Sequence, residues 1–178
     1  MPMPESDQTI RRNRVMSPKR TRLALSGVCT AIALVLSTGG TAHANADDSN
    51  LFSIEACGDI PGRSAFKFTI HYNSGQNGAW RNIGYSVYDF NALKPGGSSS
   101  TVYKLKFCST GGASSPPAGA GTNIKNNAAS GENFHYKYWA RVYFRSGHKG
   151  AQDVMAPYQH IDRFRNVYND NASFKWTS

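Results

Sequence analysis

The sequence contains Ile70-His71-Tyr72-Asn73-Ser74-Gly75-Gln76-Asn77-Gly78-Ala79, and 72 positions later it contains Val142-Tyr143-Phe144-Arg145-Ser146-Gly147-His148-Lys149-Gly150-Ala151. The serine, both glycines and the alanine are identical in the two segments, and each segment begins with an aliphatic residue followed by two ring-bearing residues. A Ser-Gly-x-x-Gly sequence provides two positions that tolerate positive φ, which a tight β-hairpin requires. Each segment therefore predicts a hairpin.

A second pair of related segments accompanies the hairpins. It consists of Asn123-Ile124-Lys125-Asn126-Asn127-Ala128-Ala129-Ser130 and, 43 positions later, Asn166-Val167-Tyr168-Asn169-Asp170-Asn171-Ala172-Ser173. Asn, Asp and Ser side chains at this spacing can hydrogen-bond to turn backbone. The alternating order of hairpins and Asn/Ser segments indicates two copies of one β unit. Because the two offsets differ, the first copy carries extra residues, which the Gly-, Ser- and Pro-rich region around 94–122 supplies as a flexible insert.

The rest of the sequence after residue 44 favours short strands. Aromatic and β-branched residues alternate with Lys, Arg or other polar residues at 65–72, 101–107 and 136–144, which is typical of strands with one solvated face. The segments 94–100 and 109–122 are rich in turn-forming residues, and 47–50 is expected to be a loose end. We therefore predict an all-β domain in which the large aromatic residues, including Trp80, Trp139 and Trp176, fill the core.

The two kinds of segment together resemble the Greek-key signature of βγ-crystallins. Residues 71–78 and 143–150 match its first part, an aromatic residue and six further residues before Gly, and residues 126–130 and 169–173 match (Asn/Asp)-(Asn/Asp)-x-x-Ser. The chain departs from the pattern at His71, where an aromatic residue is usual, and at Gly131 and Phe174, where a second Ser or Thr is usual. Within the superfamily it is similar to secreted actinobacterial proteins, which include the streptomycete metalloproteinase inhibitor. The resemblance implies a β-sandwich of two Greek-key motifs over most of 66–178.

Members of that family often bind Ca²⁺ between the paired Asn/Asp-x-x-Ser segments. The resemblance carries this function to four side chains: Asn127, Ser130, Asp170 and Ser173. Calcium sites gain affinity from carboxylates, and only Asp170 is charged among the four. We expect these residues mainly to hold turns, with at most weak Ca²⁺ binding, and no other cofactor.

The first 44 residues have the order of a secretory signal peptide. A basic beginning precedes the largely apolar segment 23–36, and Ala42-His43-Ala44 then provides small residues at a cleavage site. The apolar segment is short for a membrane span, although an uncleaved anchor remained the alternative. We expect a secreted mature chain, 45–178, that forms one domain and has no membrane association. Six of the 20 Lys and Arg residues and two of the 11 Asp and Glu residues lie in the signal, which leaves +5 of the formal charge of +9.

The cysteines also favour an oxidising compartment. Cys29 lies in the predicted signal, so Cys57 and Cys108 remain as an even pair, and a disulfide between them is expected. A metal or redox site is the weaker alternative, because the two cysteines are far apart in sequence and show no Cys-x-x-Cys pattern.

The sequence offers no recognisable catalytic motif. It has no His-Glu-x-x-His, Gly-x-Ser-x-Gly or phosphate-binding loop, and no catalytic residue is assigned. The basic residues are scattered, which does not indicate nucleic-acid binding. The family resemblance implies protein binding, in its most specific form peptidase inhibition, with a secreted protease as partner. Because inhibitors usually present an exposed loop on a rigid scaffold, the loop 109–122, including Pro116 and Pro117, is the candidate surface, although its Gly-, Ser- and Ala-rich composition is also typical of a mere tether. A structural or Ca²⁺-binding extracellular protein and a small toxin or hydrolase are the alternatives.

Overall fold

The computed structural model describes residues 41–97, 100–109 and 115–178, all of which belong to one compact unit, Leu36–Ser178. Its elements are α1 (Thr41–Phe52), α2 (Ile54–Cys57), β1 (Phe68–Asn73), β2 (Asn77–Ile83), β3 (Ser130–Asn133), β4 (Trp139–Arg145), β5 (Lys149–Met155), β6 (His160–Ile161) and β7 (Ser173–Thr177). The strands form two antiparallel sheets, in the orders β2-β1-β3-β6 and β5-β4-β7. Apart from the two helices, the architecture is the all-β Greek-key sandwich that the sequence predicts.

The two sequence copies are interlocked rather than side by side. β1, β2 and β3 come from the first copy, but β6 of the second copy completes their sheet by pairing with β3. In return, Val87 of the first copy forms an isolated bridge with Phe174 in β7 of the second sheet. Each sheet thus receives its last segment from the other copy, so neither copy completes its sheet alone.

The internal repeat is confirmed at the level of backbone geometry. β1 and β2 lie 72 positions before β4 and β5, and the pairing register shifts at equivalent places, between His71 and Asn73 and between Tyr143 and Arg145. Equivalent residues also adopt positive φ: Gly75 and Gly147, Gln76 and His148, Gly78 and Gly150, Asn126 and Asn169. Turn chemistry read from the sequence therefore specifies both hairpins.

The core lies between the sheets and consists of aliphatic residues and phenylalanine. Phe68 of one sheet and Phe174 of the other stack at its centre, with their ring centroids 4.2 Å apart. The prediction that tryptophans fill the core is wrong: Trp139 is 40% exposed, and Trp80 and Trp176 are only partly buried. Phenylalanine rings fit there because they are smaller than the indole of tryptophan, and closely packed sheets leave limited space between them for side chains.

Part of the predicted insert contributes to this core. The expected strand at 101–107 is not a regular strand, but Tyr103 bridges to Leu93 and Lys106 bridges to Asn123. Leu105 is fully buried and Phe107 is 2% exposed. Residues 98–99 and 110–114 of the insert lie outside the described residues.

The expectation of a loose end at residues 47–50 is wrong. These residues belong to α1, and the side chain of Asn50 is fully buried. Its Oδ1 accepts hydrogen bonds from the backbone amides of Gly84 and Tyr85, at 3.0 and 3.1 Å, while its Nδ2 donates to the Tyr85 carbonyl. Buried amide hydrogen bonds of this kind stabilise the segment against the end of β2.

The buried guanidinium of Arg81 provides a second attachment for this segment. It donates to the carbonyls of Asn50, Leu51 and Lys106, so its charge is compensated by carbonyl oxygens instead of a carboxylate. The predicted signal up to residue 40 lies outside the described residues, and α1 begins within the predicted cleavage site. Among the described helices, none has the length and apolarity needed to cross a membrane.

Candidate functional site

The first candidate region contains the Asn/Ser segments, and Ser130 is its most constrained member in the first copy. Its side chain is fully buried. The hydroxyl donates to the carbonyl of Asn73 at 2.7 Å and accepts from the amide of Gln76 at 3.2 Å. Ser130 therefore holds the two sides of the first hairpin loop together.

Ser173 repeats this arrangement in the second copy. Its buried hydroxyl donates to the carbonyl of Arg145 at 2.7 Å and accepts from the amide of His148 at 3.1 Å. Both serines thus have the turn-holding role that the sequence favoured. In each case one acceptor position of the hydroxyl is already used by a hairpin amide, which leaves limited capacity for a cation.

The other two Ca²⁺ candidates occupy more open positions. Asn127 is partly buried and donates from Nδ2 to the carbonyl of Lys125 at 3.1 Å. Asp170 is exposed and lines a shallow cavity of about 430 Å³ together with Lys125 and Arg145. Two basic side chains beside a single carboxylate make this cavity a poor environment for a divalent cation.

The surroundings of Lys125 show how the two copies differ. Its ammonium group lies 2.9 Å from Asp89 Oδ1 and donates to the hydroxyl of Ser146. Although desolvation raises the pKa of Asp89, the hydrogen bond from the Asn91 amide and the contacts with Lys125 and Ser146 together hold it below its usual value. At the equivalent place in the second copy, the guanidinium of Arg163 lies 4.3 Å from the ring centroid of Tyr168. An ion pair in one copy thus corresponds to a cation–π contact in the other.

No group of three or more His, Cys, Asp or Glu side chains able to hold a metal occurs within 41–97, 100–109 and 115–178. The Ca²⁺ candidates do not form a shared cluster of charged ligands, and weak Ca²⁺ binding stays a prediction.

The histidines of the two hairpins have structural positions. His148 adopts a φ of 58° at the tip of its hairpin, with Nε2 3.1 Å from the carbonyl of Phe174.

His71 is the buried counterpart of Tyr143 and the least expected residue of the region. Its side chain is 3% exposed, and neither ring nitrogen has a hydrogen-bond partner among the residues that the structure describes. Burial lowers its pKa to about 4, so the ring is neutral at neutral pH and its 3.9 Å approach to Glu132 Oε1 is not an ion pair. His71 occupies an aromatic position of the motif without satisfying its own polar groups.

The second candidate region begins at Cys108. Cys57 and Cys108 form the predicted disulfide, which connects the end of α2 to the insert. The amide of Cys108 also donates to the carbonyl of Trp80, at 2.9 Å. The loop that follows therefore begins at a residue that is hydrogen-bonded to β2 and disulfide-bonded to the N-terminal segment.

The return of this loop is attached to the neighbouring residue of β2. The amide of Ala79 donates to the carbonyl of Ala118 at 2.8 Å, and Gly119 packs directly against the ring of Tyr72. Just before this attachment, Pro116 is exposed and Pro117 is partly buried. We call residues 109–117 the tied loop, because the residues on either side of it, Cys108 and Ala118, are hydrogen-bonded to adjacent residues of β2. Residues 110–114 of it lie outside the described part.

The strand topology and the paired hairpin loops define a fold of the βγ-crystallin type: two Greek-key motifs that exchange a segment, with each hairpin loop held by the serine of an Asn/Ser segment. No family model matches the sequence, and no curated protein matches it significantly.

Similar solved structures include a domain from work on the evolution of the eye lens βγ-crystallin domain fold, with 12% identity and a TM-score of 0.44 over 67% of this chain and 94% of that chain. The N-terminal domain of protein S has 13% identity and a TM-score of 0.40, covering 63% and 96% of the two chains. A βγ-crystallin domain from Flavobacterium johnsoniae has 11% identity and a TM-score of 0.39, covering 62% and 93%. These likenesses concern the fold alone.

Proposed function

We propose that this chain is a secreted, non-catalytic binding protein that presents the Pro116–Pro117 end of the tied loop to a protein partner, most specifically a secreted peptidase that it inhibits. One observation carries the proposal. The residue before the tied loop, Cys108, is hydrogen-bonded to Trp80 of β2 and belongs to the disulfide. The residue after it, Ala118, is hydrogen-bonded to Ala79 of β2. A segment held in this way on a rigid sandwich suits recognition, because less of its freedom is lost on binding.

The two prolines add to this preorganisation. A proline ring restricts φ and removes conformations from the free loop, so binding orders fewer degrees of freedom. Pro116 is exposed and Pro117 is partly exposed, which allows contact with a partner. Inhibitors that act by occupying a peptidase cleft need a restrained segment of this kind more than they need a reactive side chain.

The test is an inhibition assay with secreted metallopeptidases and serine peptidases. We expect the intact protein to inhibit one class at a stoichiometric ratio, and the double variant Pro116→Ala/Pro117→Ala to weaken inhibition by roughly 5- to 30-fold, from the entropy each proline saves. Pro95→Ala, outside the tied loop, is the matched control and should inhibit like the parent. Absence of inhibition of either class by the intact protein would remove the inhibitor function.

A further inference from the structure

A cleft of about 440 Å³ lies where strands of both sheets end, away from the tied loop. The residues before β1, after β2 and β3, before β4 and at the end of β7 line it. Five of them carry rings: Phe66, Tyr85, His135, Tyr138 and Trp176. We call this surface the aromatic cleft. Its volume lies in the range of small-ligand sites, and the fold does not need an opening there.

Hydrogen bonds hold the rings on one side of the aromatic cleft. The indole Nε1 of Trp176 donates to the carbonyl of Gly84 at 3.0 Å. His135 Nδ1 accepts from the amides of Lys137 and Tyr138, at 2.9 and 3.1 Å, which assigns the ring proton of the neutral imidazole to Nε2. The His135 ring then lies 4.7 Å from the Tyr138 ring and 5.3 Å from the Trp176 ring, between centroids.

The buried amide of Asn133 supports the same segment. Its Nδ2 donates to the carbonyls of Tyr138, Met155 and Ala156, and its Oδ1 accepts from the amide of His135. Asn133 is 1% exposed, so its own amide group is shielded from water, and its bond to the Met155 carbonyl is fully buried. The turn that carries His135 and Tyr138 is therefore rigid before any ligand arrives, which lowers the entropic cost of binding.

The opposite side of the cleft combines a buried floor with an exposed ring. The Phe66 ring packs against Gly84 so closely that a Cβ atom at Gly84 would collide with it. Tyr85, next to it, is 48% exposed and meets Phe66 edge-on, with the ring centroids 5.9 Å apart. Tyr138 is 37% exposed. The exposed tyrosines leave apolar ring surface and phenol groups available at the rim, an arrangement typical of binding surfaces.

The charged side chains that line the cleft or lie beside Tyr138 are basic. None of the described residues that line the cleft is Asp or Glu, whereas Lys67 lines it and Lys137 lies with its Nζ 5.4 Å from the Tyr138 ring centroid. Lys67 Nζ donates to the carbonyls of Ser64 and Gly62, at 2.6 and 3.4 Å, and among the residues that the structure describes it forms no ion pair with a carboxylate. Desolvation lowers the pKa of His135 most, and the positive charges of Lys137 and Lys67 lower it further.

We infer that the aromatic cleft binds a saccharide, and specifically a sugar ring that carries a carboxylate group, as in an acidic polysaccharide. Aromatic surface packs against the C–H face of a pyranose ring, and the phenols, the Thr177 hydroxyl and His135 Nε2 supply hydrogen-bonding groups for sugar hydroxyls. Lys67 and Lys137 supply the complementary charge for the carboxylate. This inference does not depend on the tied loop or on peptidase inhibition.

Single-stranded nucleic acid is the competing ligand, since it too combines rings with negative charge. The geometry disfavours it. The rings are inclined to one another, by 54° for His135 and Tyr138, 59° for His135 and Trp176 and 81° for Phe66 and Tyr85, so they enclose a bowl and do not form a row on which successive bases stack. Two ammonium groups also provide little of the extended cationic path that a phosphate backbone uses.

The experiment is calorimetric titration of the purified protein with an oligogalacturonate, in parallel with the same oligosaccharide after reduction of its carboxyl groups to alcohols, and with oligothymidylate. Trp176 fluorescence gives a second readout in the cleft itself. We expect the oligogalacturonate to bind more tightly than its carboxyl-reduced form, and its binding to weaken with added salt, because exposed charges are screened.

Variants locate the site. Tyr138→Ala should weaken binding roughly tenfold, from loss of the ring contact, whereas Tyr88→Ala, which removes another exposed ring outside the cleft, should not. Lys137→Met should reduce the preference for the carboxylated ligand, with Lys149→Met as its control. An unchanged melting temperature identifies folded variants, and Tyr85→Ala replaces Tyr138→Ala if the latter is destabilised. The inference is overturned by no oligogalacturonate binding, by equal binding of the carboxyl-reduced form, by tighter binding of oligothymidylate, or by undiminished binding in the folded cleft variant.

Discussion

At the scale of single residues, His71 shows how the first copy departs from the motif. The position is aromatic in the second copy, where Tyr143 is partly exposed, but in the first copy the side chain is enclosed. An imidazole fills the volume of an aromatic ring, yet its two nitrogens lose their water and have no hydrogen-bond partner in the described part of the chain. This desolvation opposes folding, and it also makes the residue sensitive to pH.

We predict that His71→Phe stabilises the protein. An apolar ring of similar size removes two unsatisfied polar atoms, which we expect to raise the free energy of unfolding by about 1 kcal/mol at pH 7. Urea unfolding measures this change. A loss of stability would show that the pocket has no room for the larger ring, and His71→Leu would then be the second variant.

The same residue sets a pH dependence with a definite sign. The pKa of His71 is about 4 in the folded chain and 6.5 when it is unperturbed. The unfolded chain therefore binds the additional proton first, and the His71 contribution to stability, complete above pH 6.5, falls by about 3 kcal/mol as the pH decreases to 4. Glu132, whose pKa is raised by burial, acts in the opposite direction. The difference between parent and His71→Phe across this range isolates His71, and parallel pH profiles of the two proteins would contradict the prediction.

Asp170 carries the prediction for calcium. Because three of the four candidate side chains are neutral and two basic residues share its cavity, we expect no binding or weak binding. Melting temperatures with and without micromolar Ca²⁺, measured for the parent and for Asp170→Ala, test this expectation. An increase of several degrees in the parent alone would show that the site has higher affinity than its charge suggests.

At the scale of elements, the hairpins depend on serines far away in sequence. Each hairpin loop is closed by a hydroxyl that comes from the beginning of another strand, Ser130 in β3 or Ser173 in β7. The sequence repeat contains this dependence, because every hairpin segment is followed by its own Asn/Ser segment. Each hairpin and the serine that closes its loop thus form one structural unit, although the serine belongs to a different strand.

We predict that Ser130→Ala and Ser173→Ala destabilise the protein by similar amounts, about 1–3 kcal/mol each, since each change removes two partly buried hydrogen bonds, one to a carbonyl and one from an amide. Chemical denaturation measures both. Ser109→Ala, at an exposed position, is the control and should change stability by less than about 0.5 kcal/mol. A strongly unequal effect of the two changes would contradict the structural equivalence of the copies.

At the scale of the whole molecule, the N-terminal segment and the insert are fastened to the same strand. Asn50 bonds to the end of β2, Arg81 donates to carbonyls on both segments, and the disulfide joins them covalently. The sandwich therefore holds together two segments that come from opposite sides of the first hairpin in sequence.

We predict that the double variant Cys57→Ala/Cys108→Ala folds but loses about 4 kcal/mol of stability, as chain entropy gives for the closure of a loop of this size. The double change avoids a free thiol. Thermal unfolding of the oxidised parent, the reduced parent and the variant tests it. Intact mass after alkylation without reduction provides the control, since two reactive thiols in the parent would contradict the bond.

The sequence by itself determined the local features of this protein. The repeated glycines, Asn126 and Asn169 adopt positive φ, and turn conformation depends mainly on the residues that form the turn, so the hairpins and their equivalence could be predicted from spacing. The cysteine pairing followed from parity, because only one pair remained after the predicted signal. The strands at 65–72 and 136–144 were recognisable for the same reason, since alternation is a property of neighbouring residues.

Only the tertiary structure decided which distant residues meet. The exchange of Val87 and β6 between sheets, the burial of Leu105 and Phe107 and the attachment of Asn50 to β2 depend on contacts between residues far apart in sequence, which no local pattern encodes. The placement of the tryptophans is the clearest case. An aromatic residue is equally suited to a core or to a binding surface. In this fold phenylalanine rings occupy the space between the two sheets, whereas Trp176 and two tyrosines line an open cleft at the ends of the strands.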